Sequence, residues 1–157
     1  MRSLLLDCAT PLGYALHLET DGSALTASDF VRRRVTRTRA SSVHPLLAEA
    51  RAQIDAYFAK RLPRFELPLD LRGTPLQREI WEFVSRLEFG QLVAYGDVAY
   101  AIGRPLGHRV VAAAMAQTPL ALFIPAHRVI GADGRVKGSA PNSLRRRLLA
   151  FEGHRIL

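Results

Sequence analysis

A chain of 157 residues with 48% hydrophobic side chains is long enough to bury one core, or two small ones sharing a boundary. No stretch approaches the ~18 to 20 uninterrupted apolar residues of a membrane span, the start Met1-Arg2-Ser3 with Asp7 close behind predicts no signal peptide, and the lone Cys8 excludes an internal disulfide or a multi-cysteine metal site. Lys and Arg number 22 against 14 Asp and Glu, a formal net charge of +8, and all of these cations except Lys60 and Lys137 are arginine, which suits phosphate and base-edge contacts. The expectation is a monomeric cytoplasmic protein, nucleoid-associated if bacterial, with a nucleic-acid partner and no cofactor, structural metal or membrane association.

Residues 1 to 40 alternate apolar and polar groups around turn signals at Thr10-Pro11-Leu12-Gly13 and Thr20-Asp21-Gly22, which predicts a strand meander. The run Arg32-Arg33-Arg34 with Arg37 and Arg39 reads as a solvated face rather than a phosphate contact. Ser42 stands where it could cap a helix over about residues 45 to 60, with Leu46, Leu47, Ala50, Ile54, Tyr57 and Phe58 on one face. The proline-broken stretch from Leu62 to Leu71 reads as a linker into a second unit. There Thr74 as N-cap and Pro75 at the first helical position open a helix marked by Leu76, Ile80, Phe83, Val84 and Leu87 and ended by Gly90.

Residues 94 to 105 predict a short helix halted by Gly103 and Pro105, and another follows from about Gly107 to Gln117. Two short helices around a glycine-containing turn form the helix-turn-helix pattern, although many helical hairpins share it. Arg109 beside Ala112-Ala113-Ala114 sharpens the DNA reading, because a helix of small residues approaches a narrow groove closely while one long cation reaches in. Packing of these alanines against a neighbouring helix accounts for some of them equally well. Residues 73 to 157 carry 11 basic and 6 acidic side chains, so the positive excess lies where the motifs lie.

The stretch Pro125-Ala126-His127-Arg128-Val129-Ile130-Gly131 resembles the Pro-Cys-His-Arg-Val motif of the O6-alkylguanine-DNA alkyltransferases, with Ala126 where the acceptor cysteine belongs. Further blocks follow the family's order and spacing: Gly73 to Trp81, Tyr95 to Ala99, Arg109-Val110-Val111, Pro119, and Leu148 to Gly153. The resemblance implies an α/β plus α architecture. A small ribonuclease H-like α/β domain (residues 1–72) would precede a helical winged helix-turn-helix DNA-binding domain (residues 73–157). It implies duplex DNA containing O6-alkylguanine as the partner, read after the modified nucleotide is rotated out of the stack.

Roles carry over by position. Arg109 resembles the arginine that fills the vacated stack, with Val110, Ala112 and Ala113 on the same helix, and Tyr95 resembles the tyrosine that crowds the target phosphate and bonds the base. Ala126 and Val129 would offer main-chain carbonyls to the guanine amine. His127 and Glu152 match the pair that activates the thiol in the enzymes, and Arg128 reads as a scaffold residue. Four further positions, Thr118, Ser139, Pro141 and Asn142, depart from the family. Thr118 replaces an asparagine, and Ser139-Ala140-Pro141-Asn142 replaces an aromatic and glycine-rich wing that would enclose the lesion, where the Ala140 N–H could still meet the guanine O6. An alanine methyl accepts nothing, whereas a thiolate is a strong nucleophile. The reading is therefore lesion recognition without alkyl transfer, with nucleotide excision repair proteins as downstream partners. A methyltransferase inactivated by a cysteine-to-alanine change and a sequence-specific regulator are the alternatives.

Overall fold

The computed structural model describes residues 4–32, 39–40, 44–131 and 144–155, the pair 39–40 by its backbone alone. By its contacts the chain divides into two compact units, Met1–Leu71 with Pro119–Phe123, and Arg72–Thr118 with Ile124–Leu157. No helix among the described residues is long and apolar enough to cross a membrane.

The first unit opens on the expected meander. Strands β1 (Leu4–Ala9), β2 (Ala15–Thr20), β3 (Leu25–Val31) and β4 (Arg39–Ala40) form one antiparallel sheet in the order β3-β2-β1-β4. Polar side chains and glycine make the turns: Asp21 accepts from the Ser23 and Ala24 N–H groups at 2.8 and 3.0 Å, and Gly22 takes a φ of 99° that a larger residue would resist. Strand alternation sends Leu6, Cys8, Leu16 and Leu18 inward. Outward, His17 sits directly opposite Asp7 on β1 and Asp29 on β3, and its ring bonds Asp7 at 2.6 Å and Glu19 at 3.2 Å.

Helix α1 (Pro45–Phe58) packs with β1 and buries Leu47, Ala50, Ile54 and Tyr57. Its cap is His44, whose Nδ1 accepts the Leu46 N–H at 3.1 Å; Ser42, expected in that role, lies outside the described residues. The helix stops two residues short of the expected end because Lys60 turns left-handed at φ 59°. Buried Gln53 was not expected on the inner face. Its amide holds Glu66 by both main-chain groups, at 2.9 and 3.1 Å, which fixes the extended segment after the helix. That segment then bonds β3 through Leu25 N–H to Pro68 O and Asp70 N–H to Leu25 O, so the expected linker is pinned along the sheet edge.

The second unit is helical. Helix α2 (Pro75–Ser85) starts with a reciprocal capping box: Thr74 Oγ1 accepts from Gln77 N–H at 3.1 Å, and Gln77 Oε1 accepts from Thr74 N–H at 2.9 Å. It ends at Ser85, earlier than the Gly90 stop expected from sequence, because the next turn serves buried side chains of the site instead of the helix ladder. The short strand β5 (Val93–Ala94) leads into α3 (Tyr95–Ala101), where Asp97 accepts from the Ala94 N–H at 2.8 Å, and a tight turn leads to α4 (His108–Ala116). Strand β6 (Val129–Ile130) pairs parallel with β5, and α5 (Leu144–Phe151) closes the unit with Leu148 and Leu149 buried. The core gathers Ile80, Trp81, Val84, Val98, Val111 and Met115.

Gly73 lies hard against this core. A Cβ there would stand 2.6 Å from Gln77 Oε1 and 2.7 Å from a Trp81 ring carbon. Gly73→Ala should therefore break the capping box and displace the indole, at a cost of about 2 kcal/mol. Urea unfolding should show a lower midpoint with an unchanged slope; a midpoint equal to the parent's would contradict this packing.

Candidate functional site

Pro125 shapes the motif turn. Its φ of −79° and ψ of 70° are those of an inverse γ-turn, closed by Ala126 N–H on Ile124 O at 2.8 Å, and a 3-10 turn over Ala126–Arg128 follows with Arg128 N–H on Pro125 O at 2.9 Å. Ala126 is only partly buried, whereas Ile124, Pro125, His127, Arg128 and Val129 on either side of it are all buried. The turn thus presents position 126 and tucks its neighbours away.

Beneath it lies a buried ionic network. The Glu152 carboxylate, at the end of α5, accepts from His127 Nε2 at 2.5 Å, from Arg128 Nε and Nη2 at 2.9 and 3.0 Å, and from the Gly90 N–H at 2.9 Å. Arg128 gives its remaining Nη1 to Leu87 O at 2.7 Å. Leu87 and Gly90 are the main-chain groups that leave the helical path after α2, which is why that helix ends early. Such a fork between guanidinium and carboxylate is the strongest kind of charge-assisted pair.

The electrostatics follow from burial and bonding. Burial alone would raise Glu152, but hydrogen bonds from His127, Arg128 and the Gly90 N–H hold it well below the usual carboxylate range. Burial pushes His127 below its ordinary 6.5 despite the opposing pull of Glu152, with Arg128 and Arg145 adding to the depression. The imidazole is therefore neutral at pH 7. With Nε2–H donated to Glu152, the ring lone pair sits on Nδ1, the arrangement of a general base oriented by an acid.

Helix α4 divides its residues between two faces. Val111, Ala114 and Met115 are buried, and the Ala114 carbonyl accepts from Trp81 Nε1 at 3.0 Å. Arg109, Val110 and Ala113 are exposed and Ala112 is half-buried. The alanine triplet thus serves both purposes weighed from sequence, Ala114 in packing and Ala113 on the open face. Tyr95 is buried at the start of α3, and Val129 is buried in β6. Thr118 donates its hydroxyl to the Met115 carbonyl at 2.9 Å, with Ala114 O at 3.4 Å, so this side chain ties down the end of α4. Ser139, Ala140, Pro141 and Asn142 lie outside the described residues. The structure brings His127 and Glu152 into contact and sets Arg109, Val110 and Ala113 on one open helix face. The Leu87 carbonyl and Gly90 N–H, which complete the network, carry no side-chain signal by which sequence could find them. No group of three or more His, Cys, Asp or Glu among the described residues could hold a metal.

Residues 75–154 match the family model described as the DNA-binding domain of 6-O-methylguanine DNA methyltransferase. The methylated-DNA–protein-cysteine methyltransferase of Mycobacterium leprae is 36% identical over 151 residues, covering 94% of this chain and 91% of the relative. The constitutive enzyme of that name from Bacillus subtilis is 36% identical over 137 residues, 83% and 82% of the two chains. A crystal structure of Mycobacterium tuberculosis OGT in complex with DNA superimposes with a TM-score of 0.77 at 34% identity, covering 93% of this chain and 90% of that one. The chain belongs to the O6-methylguanine-DNA methyltransferase family. Its fold is accordingly an N-terminal α/β domain followed by a helical helix-turn-helix domain. The relatives are named for a protein cysteine that takes the methyl group, yet this family member has one cysteine, Cys8, buried in strand β1. Its motif turn presents an alanine.

Acid should weaken this fold. A buried histidine held below its ordinary value contributes stability above about pH 6.5 that is lost as pH falls, and Glu152 adds a loss of the same sign below the ordinary carboxylate range. His17 acts in the opposite sense: it loses some ground to burial, yet bonds and charges from Asp7 and Glu19 raise it overall, so its contribution is present at low pH and lost as pH rises. Unfolding free energy should fall from pH 7 to pH 5, and His17→Asn should steepen that fall. A flatter profile in the variant would refute the assigned sign.

Proposed function

We propose that the protein binds O6-alkylguanine in duplex DNA by docking its helix-turn-helix in the minor groove and flipping the modified nucleotide, without taking up the alkyl group. The lesion so held would be passed to nucleotide excision repair proteins. The observation that carries this reading is Ala126 at the presented position of an otherwise complete motif turn, over an intact His127–Glu152 pair. Transfer to a side chain requires a lone pair that forms the new bond to the alkyl carbon while the guanine O6 bond breaks. The alanine methyl has none, and His127 has no thiol to deprotonate.

The residues divide into groups under this reading. Arg109 enters the stack in place of the flipped nucleotide, with Val110, Ala112 and Ala113 letting the helix lie close to the groove floor. Tyr95 bonds the base, and the Ala126 and Val129 carbonyls meet the guanine amine, contacts that do not depend on a thiol. Thr118 acts through helix α4 rather than on the lesion itself. Ser139 and Ala140, which lie outside the described residues, are assigned to the lesion by motif position alone.

Competition between a duplex carrying one O6-methylguanine and the same duplex with guanine, at fixed moderate salt, tests the reading because phosphate attraction is common to both. The expected preference is about tenfold or more, and Arg109→Ala should abolish most of it while the fold stays intact. Equal affinity for the two duplexes would leave a general DNA binder.

A second reading, a methyltransferase disabled only at the nucleophile, is favoured by relatives named as methyltransferases along most of the chain. Ala126→Cys separates the two. Rapid uptake of a methyl group from the lesion, seen as a mass gain on the protein, is the outcome of the second reading. An unreactive thiol that still binds the lesion duplex is the outcome of the first, with the altered residues 139–142 no longer shaping a transfer site.

A further inference from the structure

Leu106 is 93% exposed in the turn that delivers helix α4. Five large apolar side chains are exposed among the described residues, Leu5, Leu92, Tyr100, Leu106 and Val110, and the last three crowd into the helix-turn-helix. A leucine just before an N-cap commonly folds over the fourth helical residue as a hydrophobic staple. Here Gly107 is the N-cap, and the fourth residue, Val111, is fully buried without help from Leu106.

The exposure does not come from a slack loop. Arg104 N–H bonds Ala99 O at 2.8 Å, Gly107 N–H bonds Arg104 O at 2.8 Å, and a Cβ on Gly107 would come within 3.0 Å of that same carbonyl. The turn holds Leu106 out in a fixed place. Between Val98 and Thr118 the chain has no acidic residue, while Arg104, His108 and Arg109 around Leu106 are all exposed. An apolar side chain flanked in sequence by Arg104 and Arg109 complements a polyanion with apolar walls, and the deoxyribose faces of a DNA groove are such walls.

We infer that Leu106, with Val110 on the following turn, grips the deoxyribose walls of the minor groove and adds affinity for duplex DNA without reading the lesion. The inference rests on the chain's being a duplex-DNA binder that docks this helix, as proposed above. Leu106 would then contribute a salt-independent part of the affinity, and the neighbouring arginines a salt-dependent one.

Fluorescence anisotropy of the full chain on lesion and undamaged duplexes, across a salt series, tests it. Leu106→Ala should bind both duplexes about tenfold more weakly, the effect of returning roughly half of a leucine's apolar surface to water. Its lesion preference, salt slope and melting temperature should equal the parent's. Arg104→Ala should instead flatten the slope by roughly 0.9. Unchanged affinity of Leu106→Ala on both duplexes would overturn the inference, as would a flattened slope or a loss confined to the lesion duplex. A parent chain that shows no lesion preference, with the tenfold loss still seen on both duplexes, would overturn the lesion reading and keep the groove contact. A parent chain that binds neither duplex would overturn both.

Discussion

Removing a carboxylate and a guanidinium from water costs several kcal/mol per ion unless nearly every lone pair and proton finds a partner. Glu152 and Arg128 meet that requirement by drawing on three stretches of chain: the turn after α2, the motif turn, and the end of α5. The motif turn among them is held by no long run of regular structure. β5 and β6 are two residues each, and the motif turn is a γ-turn followed by a single 3-10 turn. The geometry of position 126 therefore depends on this one ionic cluster more than on any helix or sheet.

The same dependence gives a physical reason for a histidine and a glutamate to persist where there is no thiol to activate. Losing Glu152 would strand a buried guanidinium, a change that costs on the order of 3 to 5 kcal/mol, and would free the Gly90 N–H and His127 as well. His127 is tied into the cluster through its 2.5 Å contact with the carboxylate. The bonds that would orient the imidazole as a base are the bonds that hold the buried carboxylate, so the pair has an architectural role whether or not a thiol is present. An intact pair is thus weak evidence for activity, and the identity of residue 126 is strong evidence.

What could be read from the sequence was local. Strand alternation, the Thr74–Pro75 opening of α2 with its Gln77 partner, and the glycine-containing turn between α3 and α4 each act within a few residues, and each appears in the structure. The features that escaped are those whose partners are distant or are main-chain atoms. Gln53 looks like one more polar residue until Glu66 is placed beside it, and nothing in Leu87 or Gly90 announces a carbonyl or an N–H aimed at a buried ion. Thr118 shows a different difficulty. Matched to a position in a motif it reads as a lesion contact, and the bond its hydroxyl gives to the Met115 carbonyl three residues back is a local role that the motif match does not announce.

Helix α4 shows how one short element serves stability and surface at once. Its buried face is fixed by Trp81 on the Ala114 carbonyl, a bond from an indole whose own position depends on the absence of a side chain at Gly73. That leaves the opposite face free of structural duty, and there the chain places one arginine among small or apolar groups instead of a row of cations. A row of cations would bind any duplex and lose most of its grip as salt rises. A face with few charges and close apolar approach draws more of its affinity from shape, which is the property a protein needs if it is to distinguish one altered nucleotide from the many phosphates around it.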